Sequence, residues 1–157
     1  MAGVYTVEFE NELIATASGD HDFFEVTPAD DKPLTIHAIF LTQLTSEGDT
    51  NEDFHRVKII RGHATTGNGT GVTPAPLNPS DAGASFTAKV VGSTIASGGT
   101  PIDLHSETYN IRTGWMYLPT PEMRPKVNQG QTTLVVRLMA ATEADIYMSG
   151  TMYVEEE

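Results

Sequence analysis

The chain has 157 residues, 21 acidic against nine basic side chains, a formal charge of −12 and no cysteine. That length suits one domain able to bury roughly two-thirds of the surface its unfolded form exposes. The absence of Cys excludes disulfides, thiolate nucleophiles and Cys-based metal motifs, and the acidic balance argues against a nucleic-acid binder, which needs clustered Lys and Arg.

No segment is long and apolar enough to span a membrane as a helix, and Met1–Glu10 lacks the basic start and apolar centre of a signal peptide. Synthesis in the cytosol and no membrane partner are the expectations. With 39% hydrophobic residues, nine prolines and 14 glycines, the composition suits a folded, turn-rich β protein.

In chain order, Val4–Phe9 alternates apolar and polar positions as a strand does, and Leu13–Ala17 continues or pairs with it. Phe23–Thr27 is a short strand stopped by Pro28, and Leu34–Gln43 is long and β-branched enough to be central. After the polar loop Thr45–Asp53, Phe54–Arg61 sets Val57 and Ile59 against Arg56 and Lys58, which predicts one wet face. Phe86–Val91, Ile102–Ser106, Tyr109–Thr113 and Trp115–Leu118 read as further short strands between Gly-rich or polar turns such as Gly92–Pro101. Thr132–Glu155 reads as two strands with apolar residues at every second position, forming an antiparallel ribbon.

Helix is almost absent from this pattern. Asn78–Gly83 offers one turn, with Asn as N-cap, Pro79 at the first helical position and Gly83 ending it. Eight or nine strands with irregular connections predict a single all-β domain, an antiparallel jelly-roll-like sandwich. His63–Ala84 carries no strand alternation and is expected to be a long loop. Its glycines predict a flexible root and Pro74, Pro76 and Pro79 a stiff tip, either a solvated loop or an arm that lies on a partner.

Candidate chemistry is sparse. His21, His37, His55, His63 and His105 are scattered, without an HxH metal pair, and His37 reads as a hydrogen-bonded structural imidazole. Asp49, Asn51 and Asp53 have calcium-loop spacing, but Phe54 stands where the turn glycine belongs and no Glu closes the loop, so an EF-hand is excluded. An irregular surface calcium site or a solvated acidic turn both remain open there, and Asp20/Asp22 and Asp30/Asp31 read the same way. Gly67–Gly71 lacks the Lys and following helix of a phosphate loop. The Asn68–Thr70 sequon has no secretory context. No catalytic residue, metal or cofactor is assigned.

Tyr109–Lys126 holds the single Trp beside Met116, Tyr117 and Met123, with Arg112, Arg124 and Lys126 nearby and Arg137 soon after. Such side chains are enriched at protein interfaces, while Trp115 reads equally well as core. The contact candidates are Trp115, Tyr117 and Arg124, and Thr73, Pro74, Pro76, Leu77 and Pro79 form the candidate docking arm.

FHRVKIIRGH (54–63), TPAPLNPSDAGASFTA (73–88), YNIRTGWMYLPTPEMRP (109–125), TTLVVRLMA and MSGTMYVEE together resemble a family of small virion proteins of tailed bacteriophages, the capsid decoration or cement proteins. The resemblance covers most of the chain and is one of style rather than of a chemical motif. It implies a non-enzymatic homotrimer on the outer capsid surface, partnered by the major capsid protein and reinforcing capsomer contacts. The alternative is a carbohydrate- or receptor-binding sandwich of a head fibre or tail, in which Trp115 and Tyr117 stack on sugar rings. A metal-dependent β-barrel enzyme is the third class and has the least support.

Overall fold

The computed structural model describes residues 2–44, 53–128 and 133–157, so most of the predicted Thr45–Asp53 loop, including Asp49 and Asn51, lies outside the described residues. Twelve strands are described: β1 (Gly3–Ile14), β2 (His21–Thr27), β3 (Leu34–Gln43), β4 (Phe54–His63), β5 (Thr70–Val72), β6 (Ala75–Pro76), β7 (Thr87–Gly92), β8 (Ile102–Asn110), β9 (Trp115–Tyr117), β10 (Lys126–Val127), β11 (Thr133–Leu138) and β12 (Ile146–Glu156). They form two antiparallel sheets. Sheet A runs β10-β3-β12-β1-β6 with β9 also on β3, and sheet B runs β5-β7-β2-β11-β4-β8.

The two sheets pack as a sandwich. The chain alternates between them from β1 to β4 and crosses again from β8 to β9 and from β11 to β12. β12 returns between β1 and β3, and β11 between β2 and β4. Such return strands are the Greek-key connections of a jelly roll. Inward side chains of both sheets, among them Phe9, Phe23, Phe24, Ile36, Ile39, Val57, Ile59, Leu134, Met148 and Met152, fill one buried core. At the cross-strand pair Phe9/Gly150 a Cβ on Gly150 would come within 2.7 Å of the Phe9 ring, so glycine is what lets that ring lie across β12.

Several expectations change in the fold. β11 and β12 do not form a ribbon with each other: β11 pairs β2 and β4 in sheet B, and β12 pairs β1 and β3 in sheet A. Alternation identifies a strand but not its neighbour. Predicted strands at Ile102–Ser106 and Tyr109–Thr113 merge into β8, which ends in a turn where Thr113 N–H donates to Asn110 C=O. β1 absorbs Leu13 and Ile14 across a bulge in which Asn11 takes φ +53°, a conformation Asn tolerates. Asn78–Gly83 is a turn and not a helix: Asn78 Oδ1 accepts from Ser80 N–H and Asp81 N–H returns to Asn78 C=O. Short 3-10 turns stand instead at Thr16–Ser18 and Pro121–Met123.

The long loop is the largest correction. It carries β5 on the edge of sheet B and β6 on the edge of sheet A, so it crosses between the sheets and closes one side of the sandwich. Tyr5 donates its hydroxyl hydrogen to Ala82 C=O at 2.9 Å and meets Phe86 edge-to-face on the same side. Gly67 is not a hinge. A Cβ there would fall 2.2 Å from Thr94 C=O, so the residue is glycine because two backbones touch.

That contact belongs to a cover over the outer face of sheet B. Gly67 N–H donates to Glu25, Ala96 N–H to Asp22, and Thr65 and Ser97 exchange backbone hydrogen bonds. Ile60, Ala96 and Val135 form a second, small apolar cluster beneath it. The wet face predicted for β4 is therefore wet only at its Arg56–Lys58 end, because Ile60 is buried under the cover.

Candidate interaction surface

Among the described residues the most deeply buried ion pair lies under the cover. Arg137 lies buried on β11 and donates Nε to Asp22 Oδ1 at 2.6 Å and Nη2 to Asp22 Oδ2 at 3.1 Å and to Ala96 C=O at 2.9 Å. Glu25 is also buried, and desolvation pushes its carboxyl above the usual range although Gly67 N–H and Lys89 work against that shift. These residues pin the cover. The predicted grouping of Arg137 with Arg124 and Lys126 does not occur: Lys126 lies in sheet A and pairs with Glu157. Among the described residues no cluster of three or more His, Asp or Glu side chains has the arrangement of a metal site.

At the side of the sandwich opposite the crossing segment, β8 and β9 are joined by an aromatic ladder. Trp115 stacks between Tyr109 and Tyr117 at centroid separations of 6.3 and 5.8 Å, and His105 sits 4.7 Å from Tyr117. Trp115 Nε1 donates to Glu107 Oε2 at 2.8 Å, and together with a hydrogen bond from His105 this holds the Glu107 carboxyl below its usual range. Trp115 is only 4% exposed and belongs to the core. As a surface contact residue it is thus displaced by its neighbours. Tyr117 and Arg124 are half-buried, whereas Met116, Leu118 and Met123 are exposed.

The proposed arm residues lie at the other edge of sheet A. Ala75 and Pro76 pair with Thr6 and Tyr5, Leu77 N–H donates to Val4 C=O, and Pro74 is buried. Thr73, Leu77 and Pro79 are exposed. The segment is a docked edge rather than a free arm, and the structure does not bring it together with Trp115, Tyr117 and Arg124.

Between these edges the outer face of sheet A carries apolar side chains where solvent-facing positions are ordinarily polar. The β12 residues Tyr147, Ser149, Thr151 and Tyr153 point out while Met148, Met152 and Val154 point in. Cross-strand register aligns them into rows. Leu44, Tyr147 and Leu13, exposed by 60%, 46% and 44%, stand side by side just past the end of β3, on β12 and on β1, since Leu13 pairs Tyr147 and Leu44 N–H donates to Tyr147 C=O. A second row runs Met116, Phe40, Thr151, Glu8, and a third Ala38, Tyr153, Thr6. Met116 is 61% exposed, and Phe40 meets Tyr153 edge-to-face at 6.1 Å.

Glu8 is the one carboxylate of these three rows, while the row between the first and the second is polar, with Thr42 beside Ser149 and the exposed Glu10 and Asn11 of β1 at its end. Below them His37, the imidazole predicted to be structural, hydrogen-bonds Glu155 on the same face. The sequence reading missed this surface. Its signal lay in the polar half of the strand pattern, where Tyr147, Tyr153, Phe40 and Met116 occupy positions that alternation assigns to solvent.

The comparisons with known proteins return no matching family model, no matching curated protein and no matching solved structure.

Proposed function

We propose that this chain is a structural, non-enzymatic virion protein that binds the outer surface of a phage capsid and reinforces contacts between capsomers. The observation that supports this reading most is the set of exposed apolar side chains on the outer face of sheet A, Leu13, Tyr147 and Leu44 in one row and Met116 beside Phe40 in another, which are suited to burial against another protein. An acidic chain is repelled by packaged DNA, which favours the exterior of a shell. The partners in this reading are the major capsid protein and further copies of the chain. A trimer holding neighbouring capsomers at several points gains avidity on the order of 100- to 10,000-fold over one contact.

In this reading the rows around Tyr147 and Met116 meet the shell, Leu77 and Leu118 flank them, and the crossing segment is scaffold. The glycan-binding alternative draws less support, because the Trp115 ring that would stack on sugar is engaged by Tyr109, Tyr117 and His105. Co-sedimentation with purified shells lacking this protein, followed by electron cryo-microscopy, tests the proposal. Wild-type chain should co-sediment and give density across capsomer junctions. A Tyr147→Glu/Met116→Glu variant should stay in the supernatant with an unchanged melting temperature. Wild-type chain that neither sediments nor adds density sinks the reading.

A further inference from the structure

Three of the four sheet edges are blunted in the way that soluble β proteins protect themselves from unwanted strand pairing. β5, β6, β9 and β10 are two or three residues long. β8 is the exception. It has nine residues, it is the last strand of sheet B, and among the described residues it pairs with β4 alone. A register break at Ile59/Ile60 disturbs its first half, but from His105 to Asn110 the register against Phe54–Ile59 is unbroken. Six residues of regular strand present roughly 20 Å of free edge.

Beside this edge the cover over sheet B stops short and leaves an open hollow of about 280 Å³ on the outer face, lined by Arg56, Val57, Lys58, Ser106, Glu107, Thr108 and Met139, where the Glu107 carboxylate is already engaged by Trp115 and His105. Lys58 is neutralised there by Asp103 at 2.6 Å. Arg56 stands opposite Thr108, is exposed, and has no ion pair or side-chain hydrogen bond among the described residues. In a chain of net charge −12 this is a cation that the surrounding fold does not use.

We infer that the free edge of β8 receives an extended segment of a partner polypeptide as an added strand, with a glutamate of that segment meeting Arg56. An added strand lies two strand spacings from β4, about 10 Å. An Arg and a carboxylate side chain reaching toward each other span that gap, the longer Glu with more slack than Asp. Backbone hydrogen bonds along residues 105–110 supply affinity, and the hollow with its guanidinium selects the side chain. A second copy of this chain is a poor occupant, because pairing two β8 edges brings Asp103 and Glu107 of each copy together. The inference concerns a different surface from the outer face of sheet A and stands whether or not the chain sits on a shell.

A randomised twelve-residue peptide library, displayed and selected against the full-length chain, tests it. Selected peptides should show alternating β-forming residues with one Glu. They should slow amide hydrogen exchange within residues 105–110 and bind Arg56→Glu at least about tenfold more weakly, with part of the affinity retained by Arg56→Lys. Because Arg56 is exposed, both variants should keep the wild-type melting temperature, so lost binding would not reflect lost folding. The inference is overturned if selection yields no peptide that protects those amides, if binding is indifferent to Arg56→Glu, or if sedimentation shows that the chain itself occupies the edge by dimerising through β8.

Discussion

Replacing Asp22 by Ala removes the acceptor of three hydrogen bonds at once: Arg137 Nε at 2.6 Å, Arg137 Nη2 at 3.1 Å and Ala96 N–H at 2.7 Å. Both partners of the ion pair are buried, so the substitution strands a guanidinium under the cover with Ala96 C=O as its remaining acceptor. Breaking a buried pair from one side costs about 3–5 kcal/mol. For a chain of this size each kcal/mol moves the melting temperature by about 2–4 °C, so a fall of about 10 °C is expected. Removing both charges is different: Asp22→Leu/Arg137→Met should recover most of the loss, since the desolvation cost of both ions disappears with their attraction. Urea unfolding of the wild type, Asp22→Leu, Arg137→Met and the double variant forms the cycle, with Asp22→Ala measured beside it. A loss below about 1 kcal/mol for Asp22→Ala, or a double variant as unstable as the two single losses added, would refute the assignment of this pair as the clamp of the cover.

Two further predictions follow from burial and from close contact. His55 and His63 are both held below the ordinary histidine value, chiefly by desolvation. Their neutral forms are favoured in the folded state, so the stability they confer is complete above about pH 6.5 and is lost as pH falls below it. The urea midpoint should drop between pH 7.5 and 5, less so for His55→Gln, and equal drops would remove His55 from the account. Gly67→Ala should destabilise by about 1–3 kcal/mol because its methyl meets Thr94 C=O. Gly71→Ala, with nothing within 4 Å of the added methyl, should be close to neutral, and equal effects at the two sites would argue for a loose loop.

How far the sequence carried differed between elements for physical reasons. Leu34–Gln43 is read with its observed bounds because a long β-branched run between turn residues leaves few alternatives. β10 went unseen since two residues carry no period. β5 and β6 were hidden by glycine and proline, which signal turns yet here sit on sheet edges, where Pro loses no ladder partner. Of the contact candidates, Leu77 is where exposure was expected, while Trp115 is core because its indole N–H found Glu107 across the sandwich.

Residue order by itself determined that the protein is an all-β domain, since a period of two in apolar side chains is a local property of each strand and survives without knowledge of any neighbour. Which strands pair, where Gly67 rests and which face is left bare are long-range matters. Only the packed sandwich decided that Tyr147 stands beside Leu44 and Leu13, which lie 103 and 134 positions away in sequence, because cross-strand register alone brings them into one row. The same packing turned Asp22 and Arg137, unremarkable in sequence, into a buried pair, by closing a cover over them that excludes water.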